Sequence, residues 1–322
     1  LRGVHHRLTR QGKPIASAAA NWPALRRFIA GEHRLGLVMA QRRWTAALYE
    51  FLRFGIKQAW ACLFGGIAVA LMIGTWRFYP PDAALARYDF LFLSMLAVQL
   101  VLLAGRLETW EEARVILIYH VVGTAMELFK TRVGSWIYPE PSIFHIGGVP
   151  LFSGFMYSCI GSYICRCWRL FDFRFSQHPR RLGLIALSVA IYVNFFSHHY
   201  VIDLRWGLFA WAIWLFGRTS VHFKVWTSHR SMPLLLGLVL VSLFIWFTEN
   251  IGTFTKTWLY PSQRLGWSMV GIEKLGSWFL LVIVSYTLVS MVNAPRKWKG
   301  EGAGTGARRR DERVGGMSVP TL

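Results

Sequence analysis

The stretch from Glu127 to Pro139, ELFKTRVGSWIYP, decides how this chain is read, because its frame returns from Glu249 to Pro261 as ENIGTFTKTWLYP. In both, a Glu is followed nine residues later by Trp-x-Tyr-Pro, and the copies lie 122 residues apart. Each Glu closes a long apolar segment, and each Trp-x-Tyr-Pro falls in the loop that follows. A carboxylate repeated at the edge of an apolar layer marks a shared polar site.

Working outward, the 322 residues are 54% apolar and 16% aromatic, with a mean hydropathy of +0.36. That composition belongs to a chain whose solvent is lipid. A bilayer core about 30 Å thick takes roughly 20 apolar residues as helix. Eight segments fit, at about 58–76, 86–105, 113–130, 149–168, 182–200, 204–217, 232–250 and 269–292, the sixth being short and carrying Arg205. None alternates with period two, so strands are a poor alternative. The expected class is an all-α, polytopic transmembrane bundle of about eight spans.

The 122-residue offset lays the first four segments on the last four, and matches Thr131 with Thr253 and Gly154 with Gly276. Two tandem four-helix repeats are therefore expected, at 58–180 and 181–293, meeting near a pseudo-twofold axis along the membrane normal. A basic segment at 1–57 precedes them and a Gly/Arg tail at 294–322 follows. Trp44, Ala47, Leu48, Phe51 and Leu52 recur at helical spacing, as in a helix lying on the membrane surface.

The formal net charge of +20 reflects topology. With both termini cytoplasmic, inside segments hold 28 of the 36 basic residues and outside loops seven, Lys274 being the last. This is the positive-inside pattern of a bacterial inner-membrane protein. It implies contact with the bilayer and its anionic phospholipids and leaves no case for nucleic acid. Cys165-x-Cys167 lacks the second pair of a structural zinc site and reads as packing. The acids of the run from Glu108 to Glu112 read as a helix start. His178, His222 and His229 read as solvated loop residues.

On a helix His120, Thr124 and Glu127 share one face, as do Asn194 and His198. Glu127, Glu249 and His120 are the expected catalytic groups. Trp136, Tyr138, Trp258, Tyr260, Asn194 and His198 are the expected substrate contacts, with no metal among the assigned roles. Three functions compete. One is an enzyme that protonates an apolar, isoprenoid- or lipid-like small molecule. A second is a transporter with a proton relay through Glu127, Glu249, His120 and Lys274. A third is a metal-dependent oxidase built on His120, His145, His198 and His199. A structural or partner-binding role, with each Glu merely anchoring its loop, is the remaining alternative. No motif fixes a cofactor or an oligomeric state.

From Phe54-Gly55-x-Lys57-Gln58-Ala59 through Glu127 and the run from Trp136 to Pro141 to Tyr260-Pro261, the chain resembles a bacterial integral-membrane family of unknown function. That family, domain of unknown function eight-one-seven, is typified by YoaT, and the resemblance covers residues 50 to 293. It implies a membrane protein and no activity. More distantly, the Trp-x-Tyr-Pro loops followed by Gly147-Gly148-Val149-Pro150 and Gly271-Ile272-Glu273-Lys274 resemble membrane carotenoid cyclases and hydratases. Lys274 stands where such a cyclase has its second Glu, and Leu151 and Phe152 stand where the other repeat has both.

Overall fold

The computed structural model describes residues 42–300 and scattered positions between 27 and 39. Most of the basic amino-terminal segment and the tail beyond residue 300 lie outside the described residues. The chain is mostly helical: α1 (Arg43–Ala61), α2 (Leu63–Phe78), α3 (Arg87–Ala104), α4 (Trp110–Arg132), α5 (Phe152–Leu170), α6 (Arg181–Ser197), α7 (Arg205–Phe216), α8 (Leu234–Phe254) and α9 (Glu273–Val292). Each of the eight apolar segments falls on a helix. By length and composition α3, α8 and α9 are able to cross a membrane, and α1 with α2, bent by 67° at Cys62, makes a fourth if taken as one span. The remaining helices depart from that standard for visible reasons. The α4 helix carries charges at both ends, α5 holds Arg166 and Arg169, α6 has 17 residues and α7 has 12.

The α5 helix is the hub, packing on α1, α2, α3, α4 and α9. Small and polar residues let it be buried on most sides, among them Ser153, Gly154, Ser158, Gly161 and Ser162. A Cβ at Gly154 would lie 2.6 Å from the His120 ring and 2.7 Å from Thr124 Oγ1, so the absence of a side chain sets the spacing of α4 and α5. The α4 helix starts with a capping box: the Glu112 N–H donates to Thr109 Oγ1 at 3.2 Å, and the Thr109 N–H to the Glu112 carboxylate at 2.8 Å.

The all-α expectation needs correction, because one end of the bundle is closed by a sheet. Strands β3 (Arg174–Ser176), β4 (Ser220–Lys224), β5 (His229–Pro233) and β6 (Arg296–Lys297) form it in the order β5-β4-β3-β6. Of its pairings, β3 with β6 is parallel, with Arg174 facing Arg296, and the others are antiparallel. A two-stranded ribbon, β1 (His145–Ile146) with β2 (Val149–Pro150), lies in the loop between α4 and α5. The sheet gives the loop histidines partners that the sequence reading did not foresee. His222 stacks on Trp298 at 4.3 Å and hydrogen-bonds Ser176, His178 meets the Tyr286 hydroxyl at 2.7 Å, and His229 lies 3.4 Å from Asp172. Burial and the neighbouring His229 push the His222 imidazole below its ordinary range. Lys57 ties α1 to this end, donating at 2.8 Å to the Leu170 and Lys224 carbonyls.

Near the sheet end the acids of the α4 start do more than favour the helix dipole. Glu108 and Arg166 form an ion pair at 2.7 Å with both side chains fully buried, Ser162 and Gln99 also donate to Glu108, and Glu112 pairs with Arg169 at 3.3 Å. Removing one partner of a buried pair strands the other charge, at about 3–5 kcal/mol. Arg166→Met is therefore expected to lower stability by about that amount, read as the unfolding midpoint of the purified protein, with Arg166→Lys intermediate.

Candidate functional site

The opposite end holds both Trp-x-Tyr-Pro loops. Helices α4 and α8 end in the same way, hydrogen bond for hydrogen bond. The Val133 and Thr255 N–H groups donate to Phe129 and Ile251, Gly134 and Lys256 to Thr131 and Thr253, and Ser135 and Thr257 to Lys130 and Gly252, at distances between 2.9 and 3.1 Å. Gly134 and Lys256 both take the left-handed conformation, at φ 74° and 54°. This terminator turns each segment back so that its Tyr reaches the Glu eleven residues earlier.

Glu127 accepts from Trp136 Nε1 at 2.6 Å, from the Tyr138 hydroxyl at 2.7 Å and from the Tyr157 hydroxyl of α5 at 2.7 Å. Glu249 accepts from the Tyr260 hydroxyl and from Trp278 Nε1 of α9 at 2.6 Å. The common element is the Tyr eleven residues on. The indole differs: Trp136 bonds its own Glu, while Trp258 packs on the bare face of Gly252 and Trp278 takes its place. Both carboxylates are 3% exposed and fully engaged with donors, as a buried charge requires.

The two loops also bind one another. Ile137 and Leu259, 122 positions apart, exchange both backbone hydrogen bonds at 2.9 Å as an antiparallel bridge, and Trp136 meets Tyr260 edge to face at 6.1 Å. Helix α3 clamps this pair from the side. Arg87 donates to the Thr255 carbonyl at 3.0 Å and to Thr257 Oγ1 at 3.2 Å while pairing with Glu140, and Tyr88 donates to the Thr257 carbonyl. Asp89 accepts from Ser142 and from the Ile143 and Phe144 N–H groups, which orders the loop that leads into α5.

Beneath the bridge lies a cavity of about 830 Å³, bounded by α2, α5, α8 and α9. Its walls are mainly apolar, from Met72 and Ile160 to Phe244 and Leu281, and reach Phe171 and Phe223 at the sheet end. Glu127, Glu249, Trp136, Tyr138, Trp258, Tyr260 and His198 line it, so the structure brings these expected residues together. It does not bring the other two. His120 faces Phe155, with ring centroids 4.7 Å apart. Asn194 is spent on the loop before α7, holding Asp203 at 3.0 Å and the Leu204 N–H at 2.9 Å. Burial alone would raise the Asp203 carboxyl, but Asn194, the Arg205 N–H and the Arg205 guanidinium hold it below its ordinary range. His145 is exposed on β1, apart from the His198–His199 pair. Among the described residues no group of three or more metal-ligating side chains gathers.

The sequence reading missed Tyr157 and Trp278, which complete the two Glu sites from the neighbouring helices, and Lys130 and Tyr163, which line the cavity. The 122-residue offset lays Trp278 on Met156 and Tyr157 on Phe279, so the repeat itself gave no signal for either donor.

This fold defines a mostly helical protein with three membrane-length apolar helices and a paired-loop site over an internal cavity. The chain belongs to the family described as "Protein of unknown function (DUF817)", whose model matches residues 50–286. It is 42% identical over 244 residues to YoaT of Bacillus subtilis (strain 168), a protein described as uncharacterized, covering 76% of this chain and 92% of that one. No solved structure matches the chain. The likeness to carotenoid cyclases rests on the short loop phrases alone.

Each donor left unpaired in a buried site costs about 1–3 kcal/mol. Glu127→Leu, which strands three donors, is expected to lower the unfolding midpoint sharply, while Glu127→Gln keeps an acceptor and costs less. Equal midpoints for the two variants would show that the carboxylate does not hold the loop.

Proposed function

We propose that this chain is a multi-pass protein of the bacterial cytoplasmic membrane, built of two tandem four-helix units, that binds an apolar, isoprenoid- or lipid-like molecule between the units. Glu127 and Glu249 act on that molecule as acid–base groups at the outward-facing end. The observation that carries this reading is the cavity. Its volume is in the range of small-molecule sites, about 300–1,000 Å³, its walls are apolar along most of their length, and a carboxylate from each half faces it at one end.

The membrane assignment is supported by the apolar residues that the helices outside the span-length, apolar set also expose, such as Leu117 and Val121 on α4, Val189 and Val193 on α6, and Ile213 and Trp214 on α7. The tandem arrangement is supported by two pairings that join residues 122 positions apart, Ile137 with Leu259 and Arg174 with Arg296. The orientation is supported by the basic residues, which concentrate in the segments that fold into and around the sheet. The proposed units span 58–180 and 181–293. A phenol hydroxyl against each carboxylate, Tyr157 on Glu127 and Tyr260 on Glu249, gives a proton two places to sit at the cavity wall. A proton relay through His120 gains nothing from its position against Phe155.

Gly66 lines the cavity, and a Cβ there meets nothing within 4 Å. Gly66→Phe should therefore fill the space without disturbing either Glu. Small molecules extracted from nanodisc-reconstituted protein and identified by mass spectrometry are expected to include a discrete apolar species with the wild type and none with Gly66→Phe. In the Glu127→Gln/Glu249→Gln protein that species should be retained in a chemically different form. Bulk phospholipid alone in all three would reject the reading.

A further inference from the structure

Of the eight basic residues outside the segments assigned to the cytoplasm, Lys130, Arg205 and Lys274 turn into the mouth of the cavity, together with His198 and His199. The cluster is tightly built. Lys130, 5% exposed, places Nζ 2.8 Å from His199 Nε2, 3.5 Å from His198 Nε2 and 4.2 Å from the centre of the Phe195 ring. His198 Nδ1 lies 2.9 Å from the Asn194 carbonyl, so Nδ1 donates there and Nε2 keeps its lone pair towards Lys130. Lys274 Nζ sits 4.7 Å over the Tyr260 ring. The two lysines lie within electrostatic reach of one another.

The anions at hand make no ion pair with either lysine among the described residues, and Glu273, next to Lys274, folds its carboxylate back over Gly271. Asp203 is taken by Arg205 at 2.6 Å. Glu127 and Glu249 turn their oxygens to indole and phenol donors, and although Lys274 is within electrostatic reach of Glu249, neither lysine is in ion-pair contact with a carboxylate among the described residues. A half-sequestered pair of ammonium groups without a counterion is costly, and an anion bound from outside offsets that cost.

Resting on the cavity reading above, we propose that the ligand is an amphiphile with a phosphate headgroup: its apolar chain lies in the cavity, and Lys130 and Lys274 hold its phosphate, with Arg205 and His199 beside them. A phosphate monoester carries about −1.5 to −2 charge near neutral pH, which matches two lysines better than a single carboxylate does. Aromatic walls at Trp136, Tyr260 and Trp278 suit the first, unsaturated or methylene units of the chain next to the headgroup.

The test uses the full-length protein in detergent, with radiolabelled farnesyl phosphate as the probe and farnesol and inorganic phosphate as competitors. Farnesyl phosphate is expected to bind at least about tenfold more tightly than farnesol, a difference of about 1.4 kcal/mol. Millimolar inorganic phosphate should not displace it. In Lys130→Gln/Lys274→Gln its affinity should fall to that of farnesol while farnesol binding is unchanged, which also reports that the variant is folded, and Lys130→Arg should retain the preference. Equal affinities in the wild type overturn the headgroup site and leave the cavity reading standing. Displacement by phosphate at matching affinity makes this a site for the free anion and overturns the amphiphile. If neither farnesyl compound binds, the cavity reading fails, and the headgroup proposal with it.

Discussion

A carboxylate shut away from water must be surrounded by donors, and at Glu127 and Glu249 the chain recruits those donors from its own aromatic side chains. The consequence reaches well beyond two hydrogen-bonded clusters. To bring Tyr138 and Tyr260 back to a Glu eleven residues earlier, each helix ends in the same left-handed terminator. Two loops so folded present complementary edges, and Ile137 and Leu259 close them into a bridge. The bridge fixes the ends of α4 and α8, and with them the width of the space beneath. Indole and phenol groups suit this duty because each joins one strong donor to a large apolar body, which satisfies the acid without bringing water to the cavity.

The two ends of the bundle solve the problem of charge differently. At the sheet end, Glu108 and Arg166 neutralise each other inside the protein, and Asp172 draws Arg174, Arg296 and His229 together at the rim. These acids hold their partners within the chain. At the loop end Glu127 and Glu249 are satisfied by neutral donors, and among the described residues neither Lys130 nor Lys274 is in ion-pair contact with an acid. That asymmetry separates a part of the molecule that holds itself together from a part arranged to receive something else. A stability role suffices for the buried Arg166, whereas nothing about folding calls for Lys130 and Lys274 to face a shared hollow.

The anchoring of the loops by the glutamates and the acid–base role proposed for them need not conflict. The same hydrogen bonds that anchor the loops set each carboxylate at the cavity wall with a phenol hydroxyl beside it. A group that shares its proton with a hydroxyl can release or accept one while the loop stays in place, provided other donors carry the anchoring. At Glu127 three donors share that duty; at Glu249 there are two, and the second comes from α9 and not from the motif. The two loop sites are therefore alike in backbone and unlike in side-chain detail, which gives the cavity one better-anchored and one less-anchored acid.

Much of this was legible in the sequence because it depends on local order. Apolar segments of sufficient length fall on helices, Thr109 with Glu112 starts α4, and the eleven-residue step from Glu to Tyr needs only a helix end and a turn. The sheet was not legible. Its strands are two to five residues long, rich in Arg, His and Ser, and β3 meets a partner 122 positions away, so no local pattern announces it. His120 shows the same limit: helical spacing puts it on the face of Glu127, but only the packing of α5, set by the bare face of Gly154, decides that it meets Phe155. Tyr157, Trp278 and the Lys130 cluster likewise exist as a site only after distant helices meet. The sequence by itself determined which segments leave water and which carboxylates need donors, because both follow from composition and short-range spacing. The tertiary structure alone decided which donors reach them and what the unpaired cations face, because those partners are chosen by contacts between segments that the chain order keeps far apart.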